Sequence, residues 1–396
     1  LNPDYALEQA QALDAQRAKA GPVGPLHGIP VGIKDIFDTA DLPTENGTVL
    51  DSARQPGADS KAVSLLKEAG AVIMGKTVTT EMAVFGPGKT KNPRNMGHTP
   101  GGSSSGSAAA VASHMVPLAI GTQTNGSVIR PASFCGIVGF KPTHGLIPRT
   151  GALALSRPLD TIGTFARSIE DIALLTEALI AFDPADPDTR ARACPSLRET
   201  VATEPPMRPM VAFAKTPVWD QADPETQAAF EELVELLGDD CRDLPLSEPF
   251  DHLVKMHRDI MNADMAKNLA HYYERGKDKM TDTICGMIED GHKVSAVDYN
   301  TAVDGQDLLN SGLDACFDHY DIIITPATTG EAPAGLEATG NPIFNTLATY
   351  CGVPSITLPL MEGPNGLPLG VQVIGPRNDD ARLLRNANWL IQRVAG

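Results

Sequence analysis

An α/β fold, a mixed twisted β-sheet flanked by helices, is predicted by three features of the sequence. Helical and strand-like patterns alternate along the N-terminal half. Apolar residues make up 42% and charged residues 20% of 396 positions, enough for a large buried core. Gly (36) and Pro (32) are plentiful but scattered, the mark of many turns between short elements.

Ala6 to Lys19, rich in Ala and Gln, reads as a helix stopped by Gly21-Pro22. HGIPVGIKD (residues 27–35) reads as a strand entering a tight turn. A helix capped by Asp59 or Ser60 runs through Ala69 with Val63, Leu66 and Ala69 on one face, and Gly70 ends it. AVIM (residues 71–74) follows as a short buried strand. A Gly/Ser loop, 101–107, leads into an Ala-rich helix, 108–113, and a second small-residue loop spans 121–127. Residues 168–181 form an amphipathic helix with Ser168 as N-cap. The Pro/Asp-rich stretch 183–209 reads as a surface linker. Pro224 to Leu237 and His252 to Arg275 are helical by pattern, and residues 184–313 are expected to form a helical cap on a single domain spanning 1–396. DIIITP (321–326) and SITLPL (355–360) are buried-strand candidates. Leu383, Ala387, Leu390, Ile391 and Val394 make one face of a final helix.

Composition narrows the function classes. The formal net charge of −17 argues against direct nucleic-acid binding and reads as a solvated acidic surface. No apolar run reaches the roughly 18 residues needed to span a bilayer. The six cysteines (Cys135, Cys194, Cys241, Cys285, Cys316, Cys351) lie far apart with no CxxC pair, so free thiols in a reducing cytoplasm are expected, with neither metal site nor disulfide framework. The chain opens with Leu1 and no signal-peptide pattern, so a missing N-terminal piece is an open expectation.

The chemistry concentrates between Gly101 and Pro142. GGSSSGSAAAVA (101–112) and GTQTNGSVIRPASFCGIVGFKP (121–142) carry two glycine-flanked serine clusters, with Ser103 and Ser127 24 residues apart. A serine nucleophile needs close backbone approach and free N–H groups for an oxyanion, and glycines supply both. A Gly/Ser loop entering a helix also suits phosphate, but the GxxxxGK[ST] pattern is absent. His27, His98, His114 and His144 lie near these motifs, yet none belongs to a G-x-S-x-G elbow. Thr79 to Phe85 and the Met256, Met261, Met265 stretch read as core rather than pocket.

Together with HGIPVGIKD upstream, these clusters resemble the amidase-signature family. GIVGFKPTHGLIPRTG (136–151), LDTIGTFARSIED (159–171), NTLATYCGVPSITLPL (345–360) and GLPLGVQVIG (366–375) extend the resemblance over nearly the whole chain. It implies the amidase-signature fold, Ser127 as nucleophile, Ser103 as a bridging serine after a cis peptide from Gly102, and Lys34 as base. The backbone N–H groups of Thr124, Asn125, Gly126 and Ser127 would line the oxyanion hole. A free lysine is neutral in only about 0.04% of molecules at pH 7, so burial must lower its pKa for Lys34 to act. The implied reaction is hydrolysis of a small-molecule carboxylic amide, with esters or carbamates as side substrates and no metal or organic cofactor. The alternatives are a glutaminase subunit of a tRNA-dependent amidotransferase, with partner subunits, and a non-catalytic binding protein on the same fold.

The sequence departs from the family pattern at four positions. Ser105 replaces a glycine in the first cluster. Asn125 replaces a glycine before the nucleophile, and Asn tolerates a left-handed backbone best among the other residues. Gln123 and Ile129 stand where the family has an acid and an arginine, consistent with loss of a complete ion pair. Arg130 is one step out of register, which turns its side chain to another face.

Overall fold

Runs of β-branched and glycine residues supply ten strands, which a computed structural model joins into one mixed sheet. It describes residues 2–193, 195–246 and 248–395, so Cys194 lies outside the described residues. In chain order the strands are β1 (Pro30–Lys34), β2 (Val72–Thr77), β3 (Leu118–Gln123), β4 (Val138–Lys141), β5 (Thr161–Ala166), β6 (Val211–Phe213), β7 (Cys241–Asp243), β8 (Ile322–Pro326), β9 (Ser355–Glu362) and β10 (Pro368–Ile374). They lie side by side as β2-β1-β3-β5-β4-β9-β10-β8-β6-β7. Both ends of the sheet are parallel, whereas the centre from β3 to β8 is antiparallel. Every residue of β3, β4, β5 and β8 is buried, which requires cover on both faces.

The helices are α1 (Pro3–Ala20), α2 (Lys61–Glu68), α3 (Ser105–Ala112), α4 (Ile129–Cys135), α5 (Ile169–Leu179), α6 (Leu197–Val201), α7 (Pro224–Leu237), α8 (Leu253–Asn268), α9 (Ala270–Gly276), α10 (Asp282–Gly291), α11 (Ala296–Phe317), α12 (Thr346–Tyr350) and α13 (Asp380–Ala395). Ser168 caps α5, its hydroxyl accepting from the Asp171 N–H at 3.1 Å. Gly70 follows α2 at φ +86°, a backbone open to glycine at little cost. Leu383, Leu384, Ala387 and Leu390 bury one face of α13.

Two sequence expectations change. The stretch 183–209 is not a bare linker: it contains α6, and Asp186 and Asp188 form ion pairs with Arg149 at 2.8 and 2.5 Å. The block 184–313 is not wholly helical, because β6 and β7 belong to it and extend one edge of the sheet. Three-residue strands are too short to show a period-two pattern. None of the helices in the described residues is long and apolar enough to cross a membrane.

This topology sets the position of the chemistry. Strands β1 and β3 are parallel neighbours in register Ile33 with Ile120, so their carboxyl ends open side by side. Lys34 ends β1, and the Thr124–Val128 loop leaves β3 for α4. The Gly101–Ser104 loop enters α3 beside them. Gly126 is required there by close packing, since a Cβ would fall 2.2 Å from Asn345 Oδ1.

Candidate active site

Lys34 is fully buried at the end of β1. Its Nζ donates to Ser103 Oγ at 2.7 Å and to Thr122 Oγ1 at 2.9 Å. Burial pushes the Lys34 pKa down to about 7, against a smaller upward pull from Asp160. The Gly102–Ser103 peptide is cis. Ser127 is half-buried at the start of the turn into α4 and lines a narrow chamber of about 20 Å³. The structure therefore brings Lys34 and Ser103 into direct contact. No direct hydrogen bond joins Ser103 to Ser127 among the described residues.

The chamber wall overturns one expectation. Phe85, Leu155, Met261, Met265 and Met287 face the cavity at Ser127. Met261 and Met265 are also buried, so core and wall are the same residues here. Arg130 is a second difference. It lies on α4, where one residue turns a side chain by about 100° instead of to the opposite side. Arg130 thus reaches the Ser127 chamber, while Ile129 is wholly buried. The Arg130 guanidinium donates through Nη1 to the Thr339 carbonyl, and its buried Nε has no partner. Burial pulls its pKa down to about 9. Asn125 corrects a third expectation: it is not among the residues at positive φ, and its Oδ1 accepts from Thr346 Oγ1 at 3.1 Å.

Three polar residues around this loop were not visible in the sequence motifs as functional. Asp160, half-buried, accepts from Thr124 Oγ1 at 2.6 Å and from the N–H groups of Leu155 and Ser156 at 2.8 and 2.9 Å. Burial raises its pKa and those hydrogen bonds oppose the rise. His257 of α8 meets the Thr124 carbonyl at 2.8 Å. Thr349 of α12 donates to the Asn125 carbonyl at 2.6 Å. Asp160 sits within LDTIG and Thr349 within NTLATY, both quoted segments of the family resemblance, and that was their only sequence signal.

Family comparison decides which enzymes this geometry belongs with: the Amidase family model matches residues 1–384. The chain belongs to the amidase-signature family. It is thereby an amidase-family enzyme acting on C–N bonds. The chain is 32% identical over 449 residues to the A subunit of the glutamyl-tRNA(Gln) amidotransferase of Rhodopirellula baltica, covering 97% of this chain and 87% of that protein. The native peptide amidase of Stenotrophomonas maltophilia superimposes with a TM-score of 0.85 at 27% identity, over 100% of this chain and 88% of that one. A 6-aminohexanoate cyclic dimer hydrolase does so with a TM-score of 0.85 at 27% identity, over 99% and 89%.

Within this amidase fold the buried lysine has a consequence for stability. The native state holds Lys34 neutral above about pH 7, whereas an unfolded lysine stays protonated to about 10.5. Between those values the unfolded chain binds more protons, so stability rises with pH. The gap corresponds to roughly 5 kcal/mol at about 1.4 kcal/mol per pH unit, fully felt below pH 7. Lys34→Met should therefore gain on the parent enzyme at pH 6 in urea unfolding, and the gain should shrink steadily toward pH 10. A difference that stays constant across that range would contradict the depressed lysine.

Proposed function

We propose that the chain hydrolyses a carboxylic amide through an acyl-enzyme on Ser127, with Ser103 passing protons between Ser127 and Lys34. The observation that carries this is the buried Lys34 Nζ at 2.7 Å from Ser103 Oγ, with its pKa near 7. A lysine poised there is neutral in a large share of molecules at neutral pH and can take a proton. Ser127 Oγ attacks the amide carbon and gives its proton to Ser103, which passes its own to Lys34. The C–N bond breaks as the relay runs backward and protonates the departing nitrogen. Water then repeats the sequence on the ester and releases the acid.

The chamber supports a compact acyl group. Apart from the Thr124–Ser127 loop its wall is apolar, with three methionines, Phe85 and Leu155, and Arg130 adds a buried Nε without a partner that favours an oxygen acceptor on the substrate. A second, larger cavity of about 270 Å³, lined by Thr122, Asp160, Arg149 and Asp186, meets it at Ala83, Thr124 and Leu155. Thr122 is the hydroxyl bound to Lys34, so the nitrogen that receives the relay's proton would leave on that side. Helices α8 and α10 bring Met261, Met265 and Met287, acting as a cap on the same domain. The five described cysteines are free thiols, in keeping with a cytoplasmic enzyme.

The 32% identity to amidotransferase subunits favours a second reading, a glutaminase supplying ammonia to partner subunits. Turnover separates the two: the amidase reading expects simple aliphatic or aryl amides to be cleaved by the isolated chain, with glutamine a poor substrate. Glutamine turnover that appears only with co-purified partners would favour the glutaminase reading. On either reading a fluorophosphonate should add to a single serine, Ser127, as read by peptide mass.

A further inference from the structure

Oxyanion stabilisation depends on aim, because donors must point at the developing charge before it forms. In a trans peptide the C=O and the N–H point in opposite directions. Anything that holds a carbonyl therefore aims the next residue's N–H the other way. In the loop before Ser127, three successive carbonyls are held. The Thr124 carbonyl accepts from His257 Nε2–H at 2.8 Å, the Asn125 carbonyl from Thr349 Oγ1 at 2.6 Å, and the Gly126 carbonyl from the Arg130 N–H at 2.9 Å. The N–H groups on the far sides of those peptides belong to Asn125, Gly126 and Ser127. Among the described residues none of these three N–H groups meets an acceptor, and all three residues line the chamber.

We infer that His257 and the Gln123–Thr349 pair are positioning residues that aim the oxyanion donors of Asn125 and Gly126. This rests on the reading of Ser127 as nucleophile. Gln123 explains how Thr349 is oriented. The Gln123 Oε1 accepts from the N–H groups of Val128 and Ile129 at 2.9 and 3.0 Å, which fixes its amide the other way round toward Thr349. Its Nε2 donates to Thr349 Oγ1 at 2.9 Å, and that hydroxyl's single proton is thereby left for the Asn125 carbonyl. A carboxylate at position 123 accepts only, so it would draw the Thr349 proton to itself and leave the Asn125 carbonyl without a donor. Gln123 is thus more than the remnant of a lost ion pair: its amide supplies a donor that an acid lacks. His257 is 2% exposed, and burial holds its imidazole neutral with a pKa near 4, so a single N–H is directed at Thr124. Asp160 fixes the other end of the same residue through Thr124 Oγ1.

The test uses the full chain, an acyl p-nitroanilide as substrate and the trifluoromethyl ketone of the same acyl group, whose adduct with a serine carries an oxyanion-like oxygen. Gln123→Glu, an isostere, should lower kcat about 10- to 100-fold with KM within about two-fold, below the 10²–10³-fold seen when a donor is removed outright. Ketone affinity should fall by the same factor as kcat/KM. His257→Leu should behave alike, and His257→Gln, which keeps an N–H near the Nε2 position, should recover most of the loss. Unchanged kcat and ketone affinity in Gln123→Glu and His257→Leu would overturn the inference. So would losses that track melting temperature and spare the ratio of ketone affinity to substrate affinity, the sign of a merely structural role. Failure of the ketone to inhibit the parent enzyme would instead strike the Ser127 reading itself.

Discussion

Ser127→Ala should abolish both fluorophosphonate labelling and amide turnover, leaving at most the residual rate of a binding site without its nucleophile. The expected loss is the largest of any single substitution, because in the proposed reaction the hydroxyl forms the acyl-enzyme; comparable nucleophile deletions cost on the order of 10⁶ in kcat. The fold should be unaffected. Ser127 is half-buried, its hydroxyl faces a cavity, and removing one oxygen there leaves no large void. Intact-mass analysis after labelling gives a direct readout. Labelling that persists at full stoichiometry in Ser127→Ala would move the nucleophile elsewhere in the loop.

Lys34→Ala carries the second large effect. With Lys34 as the proposed base, its removal should slow acylation by at least the 10²–10⁴-fold typical of general-base loss. Lys34→Arg should not restore it, since a guanidinium stays protonated and cannot accept a proton from Ser103. Esters should suffer less than amides, because an alkoxide or phenoxide leaves with less need of a proton than an amine. Fold loss is not a ready alternative explanation: the buried ammonium opposes folding at neutral pH, so neutral replacements remove a cost as well as two hydrogen bonds.

The parts legible in the sequence are those whose signal is local. Strand-to-helix alternation is a short pattern and led to the mixed sheet; glycine-flanked serines and a lysine after Gly-Ile carried the family resemblance, and it was the resemblance that implied the meeting of Lys34 with Ser103. The supporting residues came from afar. Thr124 meets Asp160 36 residues on and His257 133 residues on, and Asn125 meets Thr349 224 residues on. No periodicity links such pairs. Arg130 was set aside for a different reason: it stands one step past the family's arginine, yet on α4, which begins at Ile129, that position still borders the Ser127 chamber. The methionines of α8 were read as core because burial and cavity lining leave the same mark on a helix face. Asn125 was given a backbone task, when its position near Thr346 gives its side chain one.

The measurement that bears most directly on the relay is the pH dependence of acylation in the parent enzyme beside Lys34→Ala. With neutral Lys34 as the active form, kcat/KM for an amide should climb along a single ionisation and level off on the alkaline side. Its midpoint should fall near 7, far below the 10.5 of an exposed lysine. Lys34→Ala should lose that ionisation and give a low, flat profile over the same range. A Lys34→Ala enzyme that keeps the parent's pH profile and near-normal amide turnover would contradict the Ser-Ser-Lys account.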